Sequence, residues 1–266
     1  MINLYRKLKK ALPSQTGLET ANAGDLDDHL GGWRRGDHGE IFPGMAIGDD
    51  DVVIDFGCGS GANGAFCVAR GAYAYLVDND AARVADAKWR LRETPSDKYE
   101  VILSDGNPLP LRNGLASKII ASEVLEHVDD PGPVLVELVR VGQVGAQYLI
   151  SVPDAHCERL VKQVAHPSAF AKPNHVRIFE REEFANLVRG AGLSIEQHTT
   201  TGFYHALRGL LFWADYVDPA TNRSDLLDNW DNTWIDLLNT AHGPKIKDLL
   251  DRFMPKNQVI LARKQA

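Results

Sequence analysis

The run Val52-Val53-Ile54-Asp55-Phe56-Gly57-Cys58-Gly59-Ser60-Gly61 constrains this chain more than any other segment. An apolar stretch without polar alternation predicts a strand buried on both faces, as in a parallel sheet. Three glycines on alternate positions follow. Glycine lets a backbone turn sharply and approach a ligand with no Cβ in the way. Helix-forming residues run from Ala62 to Arg70, so the loop opens onto a helix N-terminus. Strand, glycine loop and helix in that order make a nucleotide-type site on an open α/β sheet. The spacing is Asp-x-Gly-x-Gly-x-Gly, which differs from the Gly-x-Gly-x-x-Gly of dinucleotide binders.

Strand and helix keep alternating downstream. Strands are predicted at Val52–Asp55, Ala74–Asp78, Glu100–Leu103, Lys118–Ala121, Gln147–Val152 and Leu193–Gln197. Helices are predicted over Ala62–Arg70, Asp80–Glu93, Pro133–Val141 and Arg181–Ala191, the last stopped by Gly192. This pattern predicts a mostly parallel sheet with right-handed crossovers and helices on both faces. The run Gln258–Arg263 reads as a closing edge strand. Residues 1–48 are polar and weakly patterned, with Leu4, Leu8 and Leu12 on one face of a short helix and a loop over Gly31–Gly36. They read as an arm or lid, or as a loosely packed extension. Residues 49–198 form the core and 257–266 its final strand. Between them, 199–256 is an aromatic-rich helical insertion. Its Phe203, Leu207, Leu210 and Leu211 read as core at helical spacing, or as the lining of a pocket for a greasy acceptor.

A second strand ends at Asp78, where a carboxylate can accept from ribose hydroxyls. A third ends Ser104-Asp105-Gly106, and a fourth leads into Ser122-Glu123-Val124-Leu125-Glu126-His127. The glycine loop, Asp78, Asp105 and this block, in this order, resemble the class I S-adenosylmethionine-dependent methyltransferases over roughly 50–191. The resemblance implies a Rossmann-like seven-stranded α/β sheet with an N-terminal arm, a substrate-shaping insertion, and S-adenosylmethionine as cofactor. It implies cofactor contacts at Asp55, Gly57, Cys58, Gly59, Gly61, Asp78, Asn79, Ser104, Asp105, Gly106, Ser122 and Glu123. Asp105 would accept from the adenine amino group, and the methionine part would pass Ser122 and Glu123.

The sulfonium methyl is already activated, so the protein has to align a nucleophile and, where needed, remove its proton. If the block after the fourth strand begins a helix, Glu123, Glu126 and His127 share one face. Two carboxylates and an imidazole can hold a divalent cation. With the later His175, the pattern resembles the ubiquinone-pathway O-methyltransferases and the small-RNA terminal ribose methyltransferases. That resemblance implies a metal, magnesium or zinc, on Glu123, Glu126, His127 and His175, binding two neighbouring acceptor oxygens. Without a metal, His127 or His175 is the general base. His156 and His166 read as loop histidines, and Arg177 as a surface residue or a contact for an acidic substrate.

The formal net charge of −7 disfavours general nucleic-acid binding, which needs a basic face. Three cysteines (Cys58, Cys67, Cys157) form no metal-type or redox-type pair. No apolar run is long enough to span a bilayer, and no signal-type apolar core follows the basic N-terminus. These features predict a cytoplasmic protein. The expected activity is methyl transfer to an oxygen of a small-molecule acceptor (sugar, polyketide or catechol-like). N- or C-methylation, RNA ribose methylation and a non-catalytic cofactor-binding subunit remain as alternatives.

Overall fold

The computed structural model describes residues 22–215 and 224–265. The expected helix face of Leu4, Leu8 and Leu12 lies outside the described residues. The elements run α1 (Ala23–Leu30), β1 (Glu40–Phe42), β2 (Met45–Ala46), β3 (Val52–Phe56), α2 (Ala62–Val68), β4 (Tyr73–Asp78), α3 (Ala81–Leu91), β5 (Tyr99–Leu103) and β6 (Ala116–Ser122). Then follow α4 (Pro131–Val141), β7 (Gly142–Pro153), α5 (Ala155–Val161), α6 (Arg181–Gly190), β8 (Leu193–Thr201), α7 (Phe203–Asp215), α8 (Asp225–Leu238), α9 (Gly243–Phe253) and β9 (Asn257–Lys264).

Seven strands form one sheet in the order β5-β4-β3-β6-β7-β9-β8. Strands β3 to β7 pair in parallel, and β9 runs antiparallel to both β7 and β8. The expectation of β9 as an edge strand is therefore corrected. It lies inside the sheet, paired on both sides, with Val259 to Ala262 buried on both faces, and β8 is the edge. A continuous apolar run belongs in such an interior position.

The two faces of the sheet carry separate cores. One packs Ile54, Ile119 and Ile150 against Leu135 and Leu138 of α4 and Phe184 and Val188 of α6. The other packs Val53, Leu76 and Ile120 against Val68 of α2, Ala87 and Leu91 of α3, and Ile41, Phe42 and Met45 of the β1–β2 hairpin. Each such side chain contributes roughly 1.5–3 kcal/mol on full burial. The described part of the expected N-terminal arm is thus packed on the sheet rather than loosely attached.

A third core joins α1 to the helices α7, α8 and α9 through Leu26, Phe203, Tyr204, Trp234 and Leu238, with Leu250 of α9 packed against them. A buried polar network pins it. Lys247 Nζ lies 2.7 Å from both Asp27 Oδ1 and Asp251 Oδ2, and Trp234 Nε1 donates to Asp27 Oδ1 at 3.1 Å. Asp251 Oδ1 accepts the N–H groups of Gly202 and Phe203, which start α7. The first described helix and the last three therefore form one helical cap. Among the described residues, no helix is long and apolar enough to cross a membrane.

Candidate active site

The cofactor-type residues gather at the C-terminal ends of β3, β4, β5 and β6, the crevice where open α/β sheets bind ligands. The glycines of the first loop do different work. Gly57 and Gly59 have φ of +67 and +53. A Cβ on Gly57 would meet Val124 Cγ2 at 2.3 Å, whereas one on Gly59 meets nothing within 4 Å. Gly57 thus lets the loop after β6 close in, and Gly59 leaves backbone open to a ligand. The N–H groups of Gly57 and Cys58 both donate to Val77 O, fastening the loop to β4.

Asp78 braces the same loop. Its Oδ2 accepts from Gly59 N at 2.8 Å and its Oδ1 from Asp80 N at 2.9 Å. Each oxygen keeps a lone pair for a further donor. Asp55 is buried and accepts from Gly64 N at 3.0 Å. Desolvation, assisted by the Asp78 charge, pushes its carboxyl up to about 7. Ser104 and Asp105 cap the turn after β5 by accepting from Gly106 N and Asn107 N. Asn79 is exposed beside Asp78, and Ser122 Oγ lies 2.8 Å from Ser151 Oγ.

The block after β6 departs from the expected helix. Only a 3₁₀ turn, Leu125–His127, forms, and Glu123 stands outside it at φ +57. A left-handed non-glycine residue is strained, and such strain clusters at functional sites. The Glu123 carboxylate accepts from Ser151 Oγ at 3.2 Å and pairs with Lys256 Nζ at 3.3 Å. It therefore does not share a face with Glu126 and His127, which corrects that expectation and removes Glu123 from the metal-type set.

Glu126, His127 and His175 do converge. One ligand atom from each lies within 4.8 Å of the others. Glu126 is 0 % exposed, and neither carboxylate oxygen has a hydrogen-bond partner among the described residues. Burial first, and the Glu123 charge second, hold its carboxyl well above the usual range. His127 Nε2 lies 3.8 Å from Glu126 Oε1. His127 Nδ1 lies 3.2 Å from Pro173 O, and His175 Nδ1 lies 2.8 Å from Glu158 Oε2. Val176 N donates to Glu126 O at 2.8 Å, which ties the His175 segment to the turn.

These residues fit a cation. Ligands at about 2.1 Å from a tetrahedral cation stand about 3.4 Å apart, so the 3.8 Å pair and the rest of the cluster would have to draw in by a few tenths of an ångström or more to hold an ion. An orphaned buried carboxylate is costly unless something neutralises or ligates it. A second cluster of Asp27, Asp28 and His205 differs, because Lys247 and Arg34 already pair with its carboxylates. The remaining candidates lie elsewhere. His156 is exposed on α5, His166 Nδ1 contacts Ser168 Oγ at 2.8 Å, and Arg177 contacts Asp129 O and Glu183.

A cavity of about 400 Å³ opens beside His175. Glu158, His175 and Lys256 line its polar side, and Phe170, Ala206 and Trp213 its apolar side. Of the α7 residues read as core or pocket lining, Phe203 is in the core with Leu207 and Leu210 packed against it and none lines the cavity, which Ala206, Gly209 and Trp213 of the same helix reach instead. Burial alone would lower the Lys256 ammonium, but Glu123, Glu158 and Glu126 hold its pKa above the ordinary value. Sequence reasoning missed Glu158, Lys256 and Ser151, since no local motif marks them. Trp213 was visible as one aromatic among several.

A model of the methyltransferase domain family matches residues 33–198. A 37.1 kDa protein of uncharacterised function from transposon TN4556 of Streptomyces fradiae is 32% identical over 107 residues. That match spans 39% of this chain and 30% of the relative's length. Solved structures of the same fold include the methyltransferase bound to the Trm112 activator from Haloferax volcanii (TM-score 0.57, 17% identity, 97% of each chain). Another is the geranyl diphosphate C-methyltransferase of Streptomyces coelicolor A3(2), in complex with Mg²⁺, geranyl diphosphate and S-adenosyl-L-homocysteine (TM-score 0.55, 17% identity, 92% of this chain and 79% of that one). The [4+2]-cyclase SpnF also shares it (TM-score 0.56, 18% identity, 83% and 76%).

Proposed function

The chain belongs to the methyltransferase domain family; on that premise we propose that it takes a methyl group from S-adenosylmethionine and transfers it to an oxygen of a small-molecule acceptor, with a divalent cation on Glu126, His127 and His175. The observation that carries this reading is Glu126, a fully buried carboxylate with two unpartnered oxygens beside two imidazoles. Bound there, a cation would lower the pKa of an acceptor hydroxyl and fix its orientation. Two imidazoles and one carboxylate suit zinc-type ions better than magnesium. Three protein donors leave coordination positions open, as catalytic sites do.

The residues divide the remaining work. In this reading Asp78 offers its free lone pairs to the ribose hydroxyls, and Asp105, in the turn after β5, accepts from the adenine amino group. The backbone at Gly57, Cys58, Gly59 and Gly61, with Asp55 behind it, supports the methionine portion, alongside Ser122 and Glu123. Asn79, Ser104 and Gly106 complete the crevice. Lys256, which lines the cavity, pairs with the Glu123 carboxylate. The acceptor's apolar body occupies the cavity against Phe170 and Trp213, which brings its hydroxyl to the His175 side. If no cation binds, the unprotonated Nε2 of His127 or His175 is the base.

The test is turnover. Wild-type protein with S-adenosylmethionine is given catechols, sugars and polyketide phenols, before and after chelation, beside an E126Q variant. The proposal expects methyl ethers from acceptors with two adjacent oxygens, lost on chelation and restored by zinc or manganese. E126Q would bind S-adenosylhomocysteine normally yet lose at least about a hundredfold in kcat/KM. Methylation at nitrogen or carbon, or activity indifferent to chelation and to E126Q, would refute it.

A further inference from the structure

The two histidines of the cluster are held by partners that only accept. Pro173 O is a carbonyl, so the His127 Nδ1 contact at 3.2 Å requires a proton on Nδ1. Glu158 Oε2 belongs to a carboxylate, and the His175 Nδ1 contact at 2.8 Å makes the same demand. Both rings then carry their lone pair on Nε2. One of these atoms stands 3.8 Å from Glu126 Oε1. The Glu158 side chain is only 4% exposed and sits on α5, a different element from either histidine. The His175 ring is steadied further by Phe170, edge-on at 6.3 Å, and by His127, edge-on at 5.0 Å.

We infer that Glu158 is a positioning residue that fixes the tautomer and orientation of His175, so that Nε2 serves as a donor atom toward the space beside Glu126. Donor pre-orientation by a carboxylate behind an imidazole also raises the basicity of the outward nitrogen. The inference rests on the proposed cation site for its consequence, but not for its geometry. Glu158 also lines the cavity, so one side chain links the acceptor wall to the donor set.

The experiment combines two readouts on the full chain loaded with S-adenosylhomocysteine. Nitrogen-15 imidazole spectra report the tautomer of His175, assigned with an H175Q control. Calorimetric titration with Mn²⁺ reports affinity. Wild type should show His175 protonated on Nδ1. E158Q, which keeps an acceptor oxygen, should retain that tautomer and weaken Mn²⁺ modestly. E158L should release the tautomer and weaken Mn²⁺ about 10–100-fold. His175 protonated on Nε2 in wild type, or an E158L variant with the wild-type tautomer, would overturn the inference. So would Mn²⁺ binding that E158L leaves unchanged. If wild type shows the Nδ1–H tautomer, lost in E158L, but no Mn²⁺ binding, the positioning role stands and the cation reading falls.

Discussion

Glu126 is the residue on which the proposed cation site turns. A carboxylate with no exposure and no donor is a cost that a fold retains only where something else benefits. Asp55 presents a milder case, buried but accepting from Gly64 N. Its raised pKa gives a stability prediction. Below about pH 4 the side chain is protonated in both states. Between about 4 and 7 the unfolded chain ionises while the native one keeps its proton, so stability falls as pH rises. Above 7 the penalty is constant. In calorimetric unfolding without cofactor, D55N should therefore gain on wild type from pH 4 to 7, by on the order of 4 kcal/mol, and hold that gain above. The glycines give a second prediction. G59A should fold, losing about 1–2 kcal/mol to its left-handed backbone, yet lose S-adenosylhomocysteine affinity at least tenfold in calorimetry. G57A should instead lower the melting temperature, because its Cβ meets Val124. At this scale the glycine loop and the two Asp turns were legible because their chemistry is local. Glu158 and Lys256 were not, because they reach the site from α5 and from the residue just before β9.

Among elements, the strands and the core helices followed from runs of apolar residues and their stops, including Gly192 at φ +89 after α6. Two element readings changed. The Glu123–His127 block resembles a helix start, but β6 delivers it into a left-handed residue and a 3₁₀ turn, which splits Glu123 from its neighbours. The run Gln258–Arg263 reads as an edge strand but lies inside the sheet with β8 at the edge, because strand order depends on pairing between distant segments. The helical cap rests on one buried cation. Removing one partner of a buried pair costs about 3–5 kcal/mol. K247M should therefore destabilise the protein by about that amount in denaturant unfolding, since Asp27 and Asp251 lose their shared ammonium. A change under 1 kcal/mol would show that the network contributes little.

For the whole molecule, the sheet carries the glycine-loop crevice, and α7 of the cap lines the cavity that the proposal gives to the acceptor. The family match begins at Trp33, inside the region read from sequence as an arm, and Trp33 to Ile47 of that region pack on the sheet. The link between the two halves is physical: Arg34 bonds Asn63 beside the glycine loop and Asp28 on α1, and Asp28 bonds His205 at the cavity. Because Trp213 lines the proposed acceptor cavity and no residue of the glycine loop does, W213A should raise the acceptor KM about tenfold, a loss of about 1.4 kcal/mol, and leave S-adenosylhomocysteine affinity unchanged. The SpnF neighbour shows that this fold also hosts a cyclase, so the acceptor chemistry has to be read from the site itself. The most direct measurement is anomalous diffraction at the zinc and manganese edges from crystals soaked with each ion and S-adenosylhomocysteine. A single peak bounded by Glu126 and the Nε2 atoms of His127 and His175, with Glu123 outside its reach, is the predicted result. A protein that binds the cofactor but shows no peak there, or shows one only elsewhere, would contradict the account.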